Sequence, residues 1–386
     1  MLFKDVLVDP SLKARLIGLA RENRISHAQL FLAQSGSHAF ALATALGQYL
    51  CCQNPGEEDS CGVCPSCVQF KQLSHPDLHI YFPNCTTKSV PKDPESSLLS
   101  QEFIDFVMDK DYHIDIEDWI KLLEAENKQP SINIRDAAHI VNQNSTRSYS
   151  GGYKIYILWC ADRLYHDAAP KLLKTLEEPE EKSLFILLTE NPDKILSTII
   201  SRTQLVKIPK PTHNQIVEKL MHIFPNLSDS VAHDLANVAD GNLNKALKLH
   251  EDDSSQRQML EDFALIFESI LAYASRRPLA EVNYSAVANA FEAIAKTGRE
   301  NQKQFVDYML RMLRNLMLLN ATQPQMLKIS QSEAEVLSRF KGRLNLKHIS
   351  VITDLCNKAM HHISRNGNTA LILNNLYLKS IQAFNS

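Results

Sequence analysis

A chain of 386 residues with a 44% apolar content is too long for one ordinary core, so two or three domains are expected. A net charge of −3 argues against a stand-alone nucleic-acid binder. Residues 256–386 carry 16 Lys+Arg against 10 Asp+Glu, a mild basic bias that reads as a solvated surface. No run approaches eighteen apolar residues, and the N-terminal MLFKDVLVDPSLKARL has charges where a signal peptide needs an apolar core, so a cytoplasmic protein is expected.

In chain order, Pro10–Asn23 carries Leu12, Leu16 and Leu19 on one face and predicts a helix. Leu30–Leu32 predicts a strand, and Ala39–Tyr49 a helix after an intervening loop. Cys52, Cys61, Cys64 and Cys67 follow, part of a cluster of five cysteines in a chain with eight. Four thiolates at these gaps can close a tetrahedral metal site, and such a site has no open position for catalysis. Structural zinc is expected on Cys52, Cys61, Cys64 and Cys67 rather than a set of free thiols. His75 and His79 lie near but are not needed as ligands.

His75-Pro76-Asp77 leads into Leu78–Phe82, a second strand. Residues 84–130 contain a polar linker, Asn84–Ser97, and an acidic helical stretch with Asp105, Asp109, Asp111, Asp115, Glu117 and Asp118. That spacing matches no calcium loop, and a surface insertion is expected. Ile134–Gln143 predicts a helix, Ser148–Gly152 a turn, and Ile155–Leu158 and Leu184–Leu188 two strands buried on both faces. Ala168–Glu178 lies between them, has Leu172, Leu173 and Leu176 at helical spacing, and stops at Pro179. Strand, helix and strand in about thirty residues make a right-handed βαβ unit. Gln204–Ile208 reads as one more strand. Pro209 and Pro211 close the sheet region, and amphipathic helical patterns run from there to the end, as in Phe305–Leu319 with Tyr308, Met309, Met312, Leu313 and Leu316.

Ala161-Asp162-Arg163-Leu164, Leu172-Leu173-Lys174-Thr175-Leu176-Glu177-Glu178-Pro179, Thr189-Glu190-Asn191-Pro192-Asp193-Lys194-Ile195-Leu196 and Ser201-Arg202 together resemble the AAA+ module of bacterial DNA polymerase III clamp-loader subunits. The cysteine insertion and the His-Pro-Asp sequence match the same family, whose spacing favours Cys52 over Cys51. The resemblance implies an α/β AAA+ core over residues 1–208, with a zinc module at 51–67 and a family-atypical insertion at 84–130. It also implies a helical lid at 209–250 and an all-α collar at 256–386 that holds subunits in a ring.

In such a core the first strand–loop–helix binds phosphates through glycines, a Lys and a Ser/Thr. Here those positions hold Ala33, His38, Ala39 and Phe40, and Gly36 alone keeps a loop glycine. The strand that should end in an Asp and a Glu for Mg²⁺ and water is followed by Trp159 and Cys160. Lys245 stands where the family's sensor 2 Arg is found, Asp162 is read as fixing a turn, and Thr189 and Asn191 as structural. The resemblance therefore points to the delta-prime kind of subunit, degenerate at its nucleotide site, with no ATP expected and no enzymatic activity by itself.

Ser201-Arg202-Thr203 sits where the family carries Ser-Arg-Cys. Arg202, supported by Ser201, is expected to act in trans as an arginine finger at a neighbour's ATP site. The expected partners are the clamp-loader delta and gamma/tau subunits, with the sliding clamp and primer-template DNA reached through the assembled complex. The alternatives are an active ATPase subunit of gamma/tau type and an AAA+-like zinc scaffold of another DNA machine.

Overall fold

Five short runs of apolar residues need partners on both sides, and a parallel sheet covered by helices supplies them. The structure is a computed structural model that describes residues 1–34, 36–125, 128–251, 253–274, 284–321 and 327–384. Ser35 of the phosphate-type loop, Glu126 and Asn127 of the insertion, and parts of the C-terminal helical stretch lie outside the described residues. The described residues divide into two compact units, 1–222 with 241–245 and 223–240 with 246–386.

The first unit holds strands β1 (Ala28–Ala33), β2 (Leu78–Tyr81), β3 (Lys154–Leu158), β4 (Ser183–Thr189) and β5 (Gln204–Ile208). All pairings are parallel, in the order β2-β3-β4-β1-β5. This is the α/β architecture expected of an AAA+ core. Every residue of β3 and β4 is buried, as a strand flanked on both sides and both faces requires. Register places Ala28 beside Phe185 and Leu158 beside Leu187. Helices α1 (Pro10–Arg21), α2 (Ala39–Cys51), α3 (Pro65–Lys71), α4 (Ser100–Asp109), α5 (Ile116–Leu122), α6 (Ile134–Asn144), α7 (Ala169–Glu177) and α8 (Ser197–Ile200) surround the sheet.

Two polar contacts fix the frame. Asp77 accepts hydrogen bonds from the Tyr149 and Ser150 amides at 2.7 and 2.9 Å and from the Ser150 hydroxyl at 2.6 Å. The His-Pro-Asp sequence thereby ties the start of β2 to the turn before β3. Lys154 is buried at the head of β3, and its ammonium donates to the carbonyls of Gln143, Asn144 and Thr146, capping the C-terminus of α6.

The expectation of a surface insertion at 84–130 is corrected. Phe103, Phe106 and Val107 share one face of α4 at i, i+3 and i+4, and with Leu99, Tyr112 and Trp119 they join the main core that also contains Phe40, Ile157 and Trp159. Phe82 and Phe103 stack at 4.0 Å, and Trp119 meets both edge-on at 5.3 and 5.2 Å. Its indole N–H donates to the Pro83 carbonyl. Buried Asp136 at the start of α6 accepts from the Ser96 amide and the Asn84 side chain, anchoring the segment's entry. Asp105, Asp109, Asp111 and Glu117 are exposed, whereas Asp115 turns toward the ends of β3 and β4, near Glu190.

The second unit is helical among its described residues. Its core joins α12 (Asp253–Ala274), α13 (Tyr284–Lys296), α14 (Arg299–Asn320), α15 (Gln331–Phe340), α16 (Leu346–Ser364) and α17 (Thr369–Ala383). Tyr308, Met309, Met312, Leu313 and Leu316 all face this core. Arg311 reaches the buried Glu333 at 3.2 Å and lies over the Tyr308 ring. Three further helices, α9 (His213–Ile223), α10 (Asp229–Ala239) and α11 (Leu243–Glu251), precede α12. No described helix is long and apolar enough to cross a membrane.

Candidate functional site

The first site is a cysteine cluster. Cys52 caps the end of α2, Cys64 is the N-cap of α3, and Cys67 lies in the first turn of that helix. Gly62, with φ of +74°, makes the turn between Cys61 and Cys64. The four Sγ atoms lie within 4.8 Å of one another, and Cys61 and Cys67 are 3.9 Å apart. Zn–S bonds of about 2.3 Å in a tetrahedron separate sulfurs by about 3.8 Å, so the donor set fits one four-coordinate metal ion. The amides of Cys61, Cys64 and Cys67 donate to the sulfurs of Cys52, Cys61 and Cys64 respectively. Amides of Val63 and Cys64 draw the Cys61 thiol down to about 6, whereas burial pushes Cys52 and Cys67 upward. Cys51 points elsewhere, with its thiol 3.3 Å from the Tyr153 carbonyl. His75 packs on Phe70 and accepts from the Asp77 amide, while His79 stacks on Tyr156.

The second site is the loop after β1 together with the ends of β3 and β4. His38 is buried, and its Nδ1 accepts from the Leu7 amide at 2.9 Å. The ring stacks on His113 of the 84–130 segment at 3.9 Å. Burial, then the neighbouring His113, holds His38 well below its ordinary value, and burial takes His113 down to about 4. Both shifts favour the neutral imidazole. Ala39 and Phe40 are buried in the first turn of α2, and Phe40 meets Phe103 edge-on at 5.9 Å. Trp159 lies 5.4 Å from Phe103. Cys160 adopts a left-handed conformation, and burial raises its thiol.

The space left between these groups is about 40 Å³, lined in part by Ala33, Gly36, Tyr112, Ile114, Asp115 and Glu190. Glu190 is exposed at the rim of this space, and its carboxyl is pushed up to about 7, first by local desolvation and then by the carboxylates of Asp115 and Asp162. Asn242 presses on Gly36 so closely that a Cβ at position 36 would collide with it. Asp162 accepts from the Thr189 hydroxyl, and the Asn191 amide donates to the same hydroxyl. These three residues therefore cross-link the ends of β3 and β4. The Lys245 amide donates to the Asn242 side chain.

The third site is Arg202, in the turn between α8 and β5. Its Nε donates to Glu177 at 3.2 Å, and its Nη1 lies 3.0 Å from the Thr198 carbonyl and 3.5 Å from Ser201 Oγ. The side chain is 31% exposed.

The sequence pattern of the family of DNA polymerase III, delta subunit, matches residues 8–212, more than half of the chain. The chain belongs to this family. It is 26% identical to DNA polymerase III subunit delta-prime of Bacillus subtilis (strain 168) over 64% of its length, and 26% identical to the Escherichia coli (strain K12) delta-prime subunit over 63%. The match spans about 60% of each of those relatives. DNA polymerase III subunit tau of Bacillus subtilis is 25% identical over 82% of this chain and 50% of its own length. The chain is thus a member of the clamp-loader family that includes delta-prime and tau subunits.

Sequence reasoning overlooked two features of the sites. The aromatic plug from residues 103–119 was signalled by the spacing of Phe103, Phe106 and Val107 on a helix. Glu177 stood within the recognised Leu-Glu-Glu-Pro stretch, but nothing in one dimension linked it to Arg202.

Proposed function

We propose that this chain is a delta-prime-type member of the clamp-loader ring that does not use ATP itself and supplies Arg202 in trans to a neighbouring gamma/tau ATP site. The observation that carries the reading is the occupied nucleotide position. Sites for small ligands and cofactors occupy about 300–1,000 Å³, against about 40 Å³ here. Positions that would carry a phosphate-binding Lys, a Mg²⁺-binding hydroxyl and Walker B carboxylates hold Ala39, Phe40, Trp159 and Cys160. Arg202, a planar donor suited to phosphoryl oxygens, is partly exposed and oriented by its own chain.

In this reading the second unit contains the collar, and helices α9–α11 form the lid. The delta and gamma/tau subunits are the partners, and the assembled ring carries the sliding clamp to primed DNA in the cytoplasm. The four cysteines hold a structural Zn²⁺, which closes the α2–α3 connection and supplies no chemistry to ATP hydrolysis.

The second reading, a gamma/tau-type ATPase, draws on the similarity to tau over most of the chain. Reconstitution with the same organism's delta and gamma/tau subunits separates the two. Expected results are no ATP binding by the isolated chain, assembly with the partners, and a fall in DNA- and clamp-stimulated ATPase for Arg202→Ala without loss of assembly. An unchanged rate removes the trans role, and measurable ATP affinity of the isolated chain favours the ATPase.

A further inference from the structure

We infer that Glu177 is the positioning residue for Arg202, an inference that rests on the trans-arginine reading. Glu177 ends α7, whose Leu172 and Leu176 are buried, so the carboxylate stands on a fixed element. Its Oε2 takes the Arg202 Nε at 3.2 Å. The Thr198 carbonyl in α8 takes Nη1 at 3.0 Å, and α7 and α8 pack together. The C-terminal end of α7 carries negative partial charge, which favours a cation there.

A guanidinium presents its five N–H groups in one rigid plane. Fixing Nε and Nη1 from within the chain therefore fixes the direction of Nη2. Nη2 makes no hydrogen bond among the described residues, which leaves its two N–H groups for an acceptor outside this chain. An acceptor carrying the negative charge of a phosphoryl group matches them in charge and geometry. Glu177 also explains a part of the Leu-Glu-Glu-Pro stretch that the chain's own nucleotide site does not use. Its side chain is 57% exposed, and an exposed ion pair contributes little to folding. Its removal therefore tests orientation rather than stability.

The test is a double-mutant cycle in the reconstituted complex with delta and gamma/tau subunits, reading kcat and KM for ATP with clamp and primed DNA present. Wild type, Glu177→Ala, Glu177→Asp, Arg202→Ala and the Glu177→Ala/Arg202→Ala pair are compared, with assembly followed by size-exclusion chromatography. Misplacing a catalytic group by about 1 Å costs up to about 100-fold. Glu177→Ala is expected to lower kcat about 3- to 10-fold with KM and assembly unchanged. Glu177→Asp should recover part of that loss, and Glu177→Ala should add nothing once Arg202 is absent. An unchanged kcat for Glu177→Ala, or the same loss in the Arg202→Ala background, overturns the positioning role while the trans role stands. No effect of Arg202→Ala on the rate overturns both.

Discussion

Replacing Phe103 by alanine tests whether the 84–130 segment is a structural part of the core. Phe103 is 1% exposed and meets Phe82 at 4.0 Å, Trp119 at 5.2 Å, Trp159 at 5.4 Å and Phe40 at 5.9 Å. Deleting a buried phenyl group costs about 3–5 kcal/mol in lost transfer energy and residual cavity. Aromatic pairs add about 0.5–1.5 kcal/mol each, so the upper part of that range, about 4–5 kcal/mol, is expected. With a urea dependence of about 2 kcal/mol per molar, the midpoint should fall by roughly 2 M. The chain has 2 tryptophans, Trp119 and Trp159, and both flank Phe103. Intrinsic fluorescence during a urea titration therefore reports this cluster without interference from the second unit. Leu122→Ala, at a position 52% exposed in the same segment, should change stability by no more than about 0.5 kcal/mol. A loss below about 1 kcal/mol for Phe103→Ala would refute the assignment of this segment to the core.

Two further predictions follow from the other sites. The purified chain should carry one equivalent of zinc by elemental analysis. Cys64→Ser should lose it and destabilise the first unit, whereas Cys51→Ser should retain it because Cys51 points to the Tyr153 carbonyl. The carboxyl of Glu190 is held at about 7 against an ordinary 4.5. Between those values the folded chain keeps a proton that the unfolded chain releases, so this residue lowers stability as pH rises through that window. Glu190→Gln should therefore raise the melting temperature above pH 7 and leave it unchanged below pH 4.5. An equal effect at both ends would remove the electrostatic cause.

Much of the core was legible because buried parallel strands write themselves as short apolar runs. Ile155–Leu158 and Leu184–Leu188 needed only a residue at one or both ends to become the observed strands. The four-cysteine spacing was legible because two-residue gaps bend the chain back on itself, and the sulfurs do converge. The 84–130 segment misled because its charges are numerous and its burial rests on a few residues. Phe103, Phe106 and Trp119 carry it, and they pack on Phe82, just before the segment, and on Trp159, well beyond its end. The Glu177–Arg202 contact was invisible for a similar reason. It joins the ends of two helices separated by β4, and neither residue alone carries a pattern.

The close approach of Asn242 to Gly36 bears on reversibility. A glycine in a phosphate-type loop ordinarily lets backbone amides wrap an anion. Here its missing side chain makes room for another part of the same unit. The position is thus held by a packing constraint of the fold itself. Installing phosphate-loop chemistry, with Ala33→Gly, Ala39→Lys and Phe40→Thr, would add donors but not space. Asn242, Tyr112 and Trp159 would still stand around the loop, and the lost Phe40 ring would leave a void against Phe103 and Tyr112. An open cradle would require coordinated change in three separate segments, so no single substitution could create one.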